Sequence, residues 1–121
     1  MSTDIDKVSK VIILSDNHIL LLNRVDGKGW ELPGGHLNAG ETFIKGATRE
    51  TREETGLKIS KFKLLIKESK YRLFLANTRT RSIKLSKEHI DYLWVNRRQL
   101  KQLNLTKYTV KNLKFILKCF S

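Results

Sequence analysis

Apolar positions along the chain fall into short runs separated by turn-forming residues. Lys7–Leu14 and Ile19–Val25 are rich in β-branched and aliphatic residues, and Ser15-Asp16-Asn17-His18 between them is turn chemistry, so the pair predicts a hairpin. Asp26-Gly27-Lys28-Gly29 reads as a loop. Trp30-Glu31-Leu32 predicts a short strand stopped by Pro33-Gly34-Gly35, which holds the only proline of the chain. From Thr42 to Thr55 the period changes to that of a helix. Thr42 is a capping residue, Gly56 supplies the left-handed stop, and Phe43, Ala47, Thr51 and Ile44 are the candidates for the inward stripe.

Beyond the helix, alternation returns over Lys61–Lys67 and Tyr71–Ala76, with Phe62, Leu64 and Ile66 on one face. Ser82–Leu85 and Ile90–Val95 predict two more strands, and Asn96–Leu103 a short helix. Thr106–Phe120 predicts a terminal amphipathic helix. Val110, Leu113, Leu117 and Phe120 lie on its apolar side, and Lys107, Lys111, Lys114 and Lys118 form a basic stripe. Such a stripe is usually a solvated face. Strands, helix, strands, helix in that order imply an α/β or α+β sandwich around a mixed sheet. The 121 residues suit one domain over 1–121, with no repeat or linker.

Composition narrows the class. One cysteine, Cys119, excludes an internal disulfide and fits a reducing cytoplasm. The N-terminal apolar runs are split by polar residues, unlike a secretory signal, and no run approaches the ~20 residues that span a bilayer. The net charge of +12 is unevenly spread. Up to Leu57 there are 7 Lys/Arg against 9 Asp/Glu; from Lys58 onward there are 17 against 3. An acidic cluster therefore sits in a basic molecule. Basic surface attracts anionic substrates and nucleic acid, and it also serves solubility alone.

The chemistry concentrates in Gly35–Leu57, GHLNAGETFIKGATRETREETGL. Glu50, Glu53 and Glu54 stand at i, i+3 and i+4, which places them on one helix face. Three like charges so close repel, and a hard divalent cation with oxygen ligands is a natural compensation. Arg49 and Arg52 offer another, in which the segment is an ordinary surface helix.

Gly35, Glu41, Arg49, Glu50, Glu53, Glu54 and Gly56 match the Nudix box: G, five residues, E, seven residues, R-E, an aliphatic residue, any residue, E-E, any residue, G, an aliphatic residue. All seven fixed positions are met, and Leu57 fills the last slot. At average residue usage chance gives roughly one match in 10⁸ per start position. Thr51 departs from the pattern, standing where an aliphatic residue is usual. Trp30-Glu31-Leu32-Pro33-Gly34-Gly35 resembles the approach to the box. Leu85-Ser86-Lys87-Glu88-His89 with Tyr92-Leu93-Trp94-Val95 resembles the strand that returns beside it.

The chain is thus similar to Nudix hydrolases over about residues 7–118. That resemblance implies an α/β/α sandwich and metal-dependent hydrolysis of a nucleoside diphosphate linked to another moiety, with Mg²⁺ or Mn²⁺. It implies Glu50, Glu53, Glu54 and the Gly35 carbonyl as metal ligands, Glu41 as support for the loop-to-helix corner, and Arg49 as an orienting or structural residue. For the general base it leaves Glu53 within the box and Glu88 outside it, with Asp91 and Glu68 the other acids after the box; Glu88 also reads as an ordinary loop residue. His89 reads as a packing or capping residue. Arg24 is the candidate phosphate ligand and His36 a candidate substrate contact. Trp30, Tyr71 and Phe74 are aromatics suited to stack on a base or to fill the core. Nucleotides and RNA 5′ ends are the candidate substrates, a non-catalytic binding module is the alternative, and the assembly is a monomer or homodimer.

Overall fold

A computed structural model describes residues 6–121; residues 1–5 of the domain expected over 1–121 lie outside the described residues. Strands β1 (Val8–Ser15) and β2 (His18–Arg24) form the expected hairpin. Asp16 and Asn17 both take positive φ, 47° and 59°. This is the two-residue turn whose twist suits adjoining antiparallel strands.

The two strands pair only at the hairpin end, through Leu14–Ile19 and Ser15–His18. Further along they part, and two short strands enter the fork: β3 (Trp30–Glu31) pairs with β2, and β4 (Gly34–His36) pairs with β1. The sequence predicted a strand over Trp30–Leu32 followed by a stop. The strand is there as β3, but the stop is not: the chain changes partners at Leu32-Pro33 and continues as β4. Proline has no N–H to give, but its carbonyl accepts from Val11 N at 2.9 Å and carries the ladder across the change.

β1 pairs in parallel with β6 (Tyr71–Asn77), which pairs with β5 (Lys63–Lys67); β7 (His89–Val95) covers the other edge of β2. One parallel pairing among antiparallel ones makes the sheet mixed, and the architecture is α+β. Both faces are buried, which explains the near-continuous apolar runs of β1 and β2. Val11, Ile13, Leu20 and Leu22 meet Ala47 of helix α1 (Phe43–Thr55) on one face. Ile12, Ile19 and Leu21 meet Leu100 of α2 (Arg97–Leu100), Ile116 of α4 (Leu113–Lys118) and Phe120 on the other.

Helix α1 has the expected caps. The Thr42 side chain accepts from Lys45 N at 3.2 Å, and Gly56 ends the helix in the left-handed conformation. Ala47 and Thr51 are fully buried, whereas Ile44 is exposed and does not belong to the inward stripe.

Four other expectations are corrected. β5 starts at Lys63, and a register shift between Leu64 and Ile66 breaks its alternation. Phe62 then packs beneath α1 and Ile66 on the opposite core, while Leu64 is exposed. Ser82–Leu85 is not a strand. Ile83 and Leu85 do pack on the core, but their segment is tied through Lys84 N to Thr55 O, at the end of α1, rather than to a strand. The helix expected over Asn96–Leu103 is a single turn behind an Asn96–Gln99 capping box.

The terminal helix is two helices, α3 (Lys107–Lys111) and α4, joined at Asn112. The Asn112 amide donates to Tyr71 Oη at 2.6 Å and to Tyr108 O at 3.0 Å, so a side chain competes with the helical ladder there. The apolar stripe shifts accordingly: Ile116 is fully buried and Val110 is exposed.

Candidate active site

The fork between β1 and β2 opens into a cleft of about 940 Å³, whose lining includes Gly34, Gly35, Glu50, Glu54 and Glu88. That size suits a nucleotide-scale ligand. Its floor is the Gly34-Gly35 backbone running over helix α1. Gly34 has φ 132°, and a Cβ there would fall onto the Ser9 carbonyl. A Cβ on Gly35 would stand 3.1 Å from the Glu50 carboxyl carbon. At Gly34 only glycine allows this approach, and at Gly35 a Cβ would press on the Glu50 carboxyl.

Glu54 is 3% exposed and accepts a hydrogen bond from Gly34 N at 2.9 Å. Burial pushes its carboxyl up to about 9; the Lys10 charge and the Gly34 N–H oppose that, and the neighbouring Glu50 adds to it. Glu50 is mostly buried against Gly35, whereas the side chain of Glu53 is 54% exposed and stands outside the cleft lining. The expected common face of the three glutamates thus divides into two inward carboxylates and one at the rim.

Arg49 ties this corner together. It donates to both carboxylate oxygens of Glu41 at 2.8 and 2.9 Å, to Glu50 at 2.7 Å, to Glu53 at 3.2 Å and to the His36 carbonyl at 3.1 Å. Glu41 also accepts from Asn38 N at 2.9 Å. Its hydrogen bonds from Arg49, against a smaller burial effect, hold its carboxyl below the usual range. The Arg49–Glu41 fork is the two-point geometry guanidinium provides and ammonium does not.

A second charged group was not anticipated. Lys10, buried in β1, donates to Glu31 at 3.3 Å and to the carbonyls of Leu32 and Gly34 at 3.2 Å. Glu31 also meets Arg24 at 3.2 Å and His89 Nε2 at 2.8 Å. Burial pushes the Glu31 carboxyl up, but the His89 hydrogen bond and the charges of Lys10 and Arg24 outweigh it and hold the group at about 2. The signal was present in the sequence: Lys10 is the one charge within the apolar run 8–14, and a lysine there must find a partner.

Arg24 lines the cleft but is also paired with Asp26 at 2.6 Å. The exposed His36 lines the cleft too. Trp30 is half-buried against the terminal-helix core and Phe74 is buried beneath α1; neither lines the cleft. Tyr71 also lies outside the lining, stacked behind Tyr108 with ring centroids 6.4 Å apart. Tyr108, Lys28 and Lys107, none of them expected at the site, line its outer wall.

Glu88 arrives on the segment before β7, anchored by Val25 N donating to its carbonyl at 2.9 Å. Ligating atoms of Glu54, Glu88 and His89 lie within 4.8 Å of one another. The donors around the Gly35 backbone are hard oxygens, and the buried Glu54 carboxyl lacks enough positive charge nearby to stay ionised at neutral pH. Such a set fits a hard divalent cation. Among the described residues no helix is long and apolar enough to cross a membrane.

The NUDIX domain family matches residues 6–118. A mouse bis(5′-nucleosyl)-tetraphosphatase (asymmetrical) is 31% identical over 99 residues, spanning 69% of this chain and 67% of the mouse protein. A MutT-like protein of Streptomyces ambofaciens is 42% identical over 52 residues, 43% of this chain, and the match spans only 34% of that relative's length. The solved structure of a Nudix hydrolase family member from Chromobacterium violaceum superimposes with a TM-score of 0.78 at 22% identity, over 98% of this chain and 80% of that one.

Proposed function

The chain belongs to the Nudix hydrolase family, and on that premise we propose that it hydrolyses a diphosphate linkage in a nucleoside di- or triphosphate or a related nucleotide derivative, acting in the cytoplasm as one domain over residues 1–121. The observation that carries the reading is the pair of inward carboxylates, Glu50 and Glu54, gathered under the Gly34-Gly35 backbone with Glu88 opposite.

Glu50, Glu54 and the Gly35 carbonyl would hold Mg²⁺, or Mn²⁺, with Glu53 reaching it only from the rim. When bound, the cation supplies neutralisation of the diphosphate charge and acidification of a water. Glu88 takes the proton of the attacking water; it lines the cleft, whereas Glu53 stands at the rim. The water oxygen forms a bond to phosphorus, the bridging P–O bond breaks, and the departing phosphate carries away the electron pair. Arg24 and His36 bind phosphate oxygens from the cleft wall. Arg49 and Glu41 keep Glu50 and the loop before α1 in place. The test is a panel of nucleoside triphosphates, dinucleoside polyphosphates, nucleotide sugars and 5′-triphosphorylated or capped RNA, with Mg²⁺ and Mn²⁺, scored by product identity. Metal-dependent cleavage is expected; a folded enzyme that cleaves none of them overturns the reading.

A second reading, an RNA 5′-end pyrophosphohydrolase, draws on the balance of +14 beyond Leu57 and on Lys28 and Lys107 at the cleft. Steep loss of RNA cleavage with rising salt, beside little loss on a free nucleotide, supports it; equal salt dependence counts against it.

A further inference from the structure

The cleft has two chemically different walls. The inner wall carries the carboxylates. The outer wall carries Lys28, Thr106, Lys107 and Tyr108. Tyr108 is 55% exposed, although it is an aromatic residue facing a cleft. Its ring stacks on Tyr71 at 29° between planes. Tyr71 is itself fixed, half-buried in the core and held at its hydroxyl by Asn112, which also bonds the Tyr108 carbonyl. A ring fastened from behind and left open to the cleft loses little freedom when a second planar group meets it. Lys111 is the ring's other neighbour, its ammonium 5.8 Å from the ring centroid, on an exposed side chain.

We propose that Tyr108 is the platform on which the substrate's nucleobase stacks, with Lys28 and Lys107 meeting phosphate oxygens between the base and the carboxylates. The inference rests on the nucleotide reading above and assigns the base recognition that reading leaves open. It replaces Tyr71 as the stacking ring: Tyr71 supports Tyr108 from behind. Because every base offers a π-face, the platform selects for a base over a bare polyphosphate without choosing among bases.

Calorimetric titration in Mg²⁺ tests this with two non-hydrolysable probes that share one P–C–P group: α,β-methylene-ADP and methylenediphosphonate. The wild-type protein binds the nucleotide more tightly than the bisphosphonate. Tyr108→Ala weakens nucleotide binding by roughly 10-fold or more, the scale of base–aromatic stacking, and leaves the bisphosphonate unchanged. Tyr108→Phe keeps the wild-type pattern. Equal wild-type affinity for the two probes, or a Tyr108→Ala effect that is absent or the same on both, overturns the proposal. Binding is read without turnover, so an inactive enzyme sinks the hydrolase reading and leaves this comparison standing.

Discussion

Replacing Glu54 by glutamine separates what the site does from what it costs the fold. The carboxyl is 3% exposed, and burial moves it from an ordinary 4.5 up to about 9. The metal-free folded protein therefore holds a proton that the unfolded chain releases. Its stabilising effect is complete below pH 4.5 and fades as pH rises toward 9, by about 1.4 kcal/mol per pH unit. Between pH 5 and pH 8 the metal-free wild type should lose on the order of 4 kcal/mol through this one group. Glutamine keeps the shape and the acceptor for Gly34 N and does not titrate. Urea unfolding with a chelator present should give nearly equal stabilities at pH 5 and a more stable Glu54→Gln variant at pH 8. Activity should move the other way, down by at least ~100-fold, the scale of losing a positioned catalytic group. Mg²⁺ should stabilise the wild type more than the variant, because only the wild-type side chain can release its proton and become a charged ligand. Parallel pH–stability curves for the two proteins, or near-wild-type turnover by the folded variant, would refute the reasoning.

Three further outcomes are expected. Thr51 is fully buried with no partner for its hydroxyl among the described residues, so Thr51→Val should stabilise by ~1 kcal/mol in urea unfolding; a loss of stability contradicts this. Arg49→Lys forfeits the fork onto Glu41 and the bond to the His36 carbonyl and should cost about 2 kcal/mol, visible as a lower melting temperature; an unchanged one argues against the hub. Glu31 is held at about 2 against an ordinary 4.5, so its contribution is present above pH 4.5 and lost as pH falls toward 2. Glu31→Gln should therefore be destabilised by roughly 3 kcal/mol at pH 7, with the gap closing in acid; a gap independent of pH speaks against the ionised group.

What could be read from the sequence was what local rules decide. The Asp16-Asn17 turn and the Thr42 and Gly56 caps lie where their chemistry requires. The seven fixed residues of the box announced the family before any geometry. Features decided by distant partners were missed. β4 exists because the chain leaves β2 for β1 at Pro33, a change no local window reports. The break at Asn112 depends on Tyr71, 41 residues away. Ser82–Leu85 has a strand's alternation, but its backbone is tied to Thr55 at the end of α1. Within the site, Glu88 stood out as one of three acids after the box and does reach the cleft. Lys10, alone in an apolar run, called for a buried partner, but Glu31 by itself resembles an ordinary polar residue in a strand; only the fork brings the two together.

The most direct test of the central claim is turnover of the best panel substrate in ¹⁸O-water with Mg²⁺, products followed by ³¹P NMR. One ¹⁸O atom should enter one of the two phosphate products, and label should be absent with a chelator and appear at least ~100-fold more slowly with Glu54→Gln. Cleavage that persists without divalent metal, or that proceeds equally in Glu54→Gln, would contradict a hydrolase built on this carboxylate cleft.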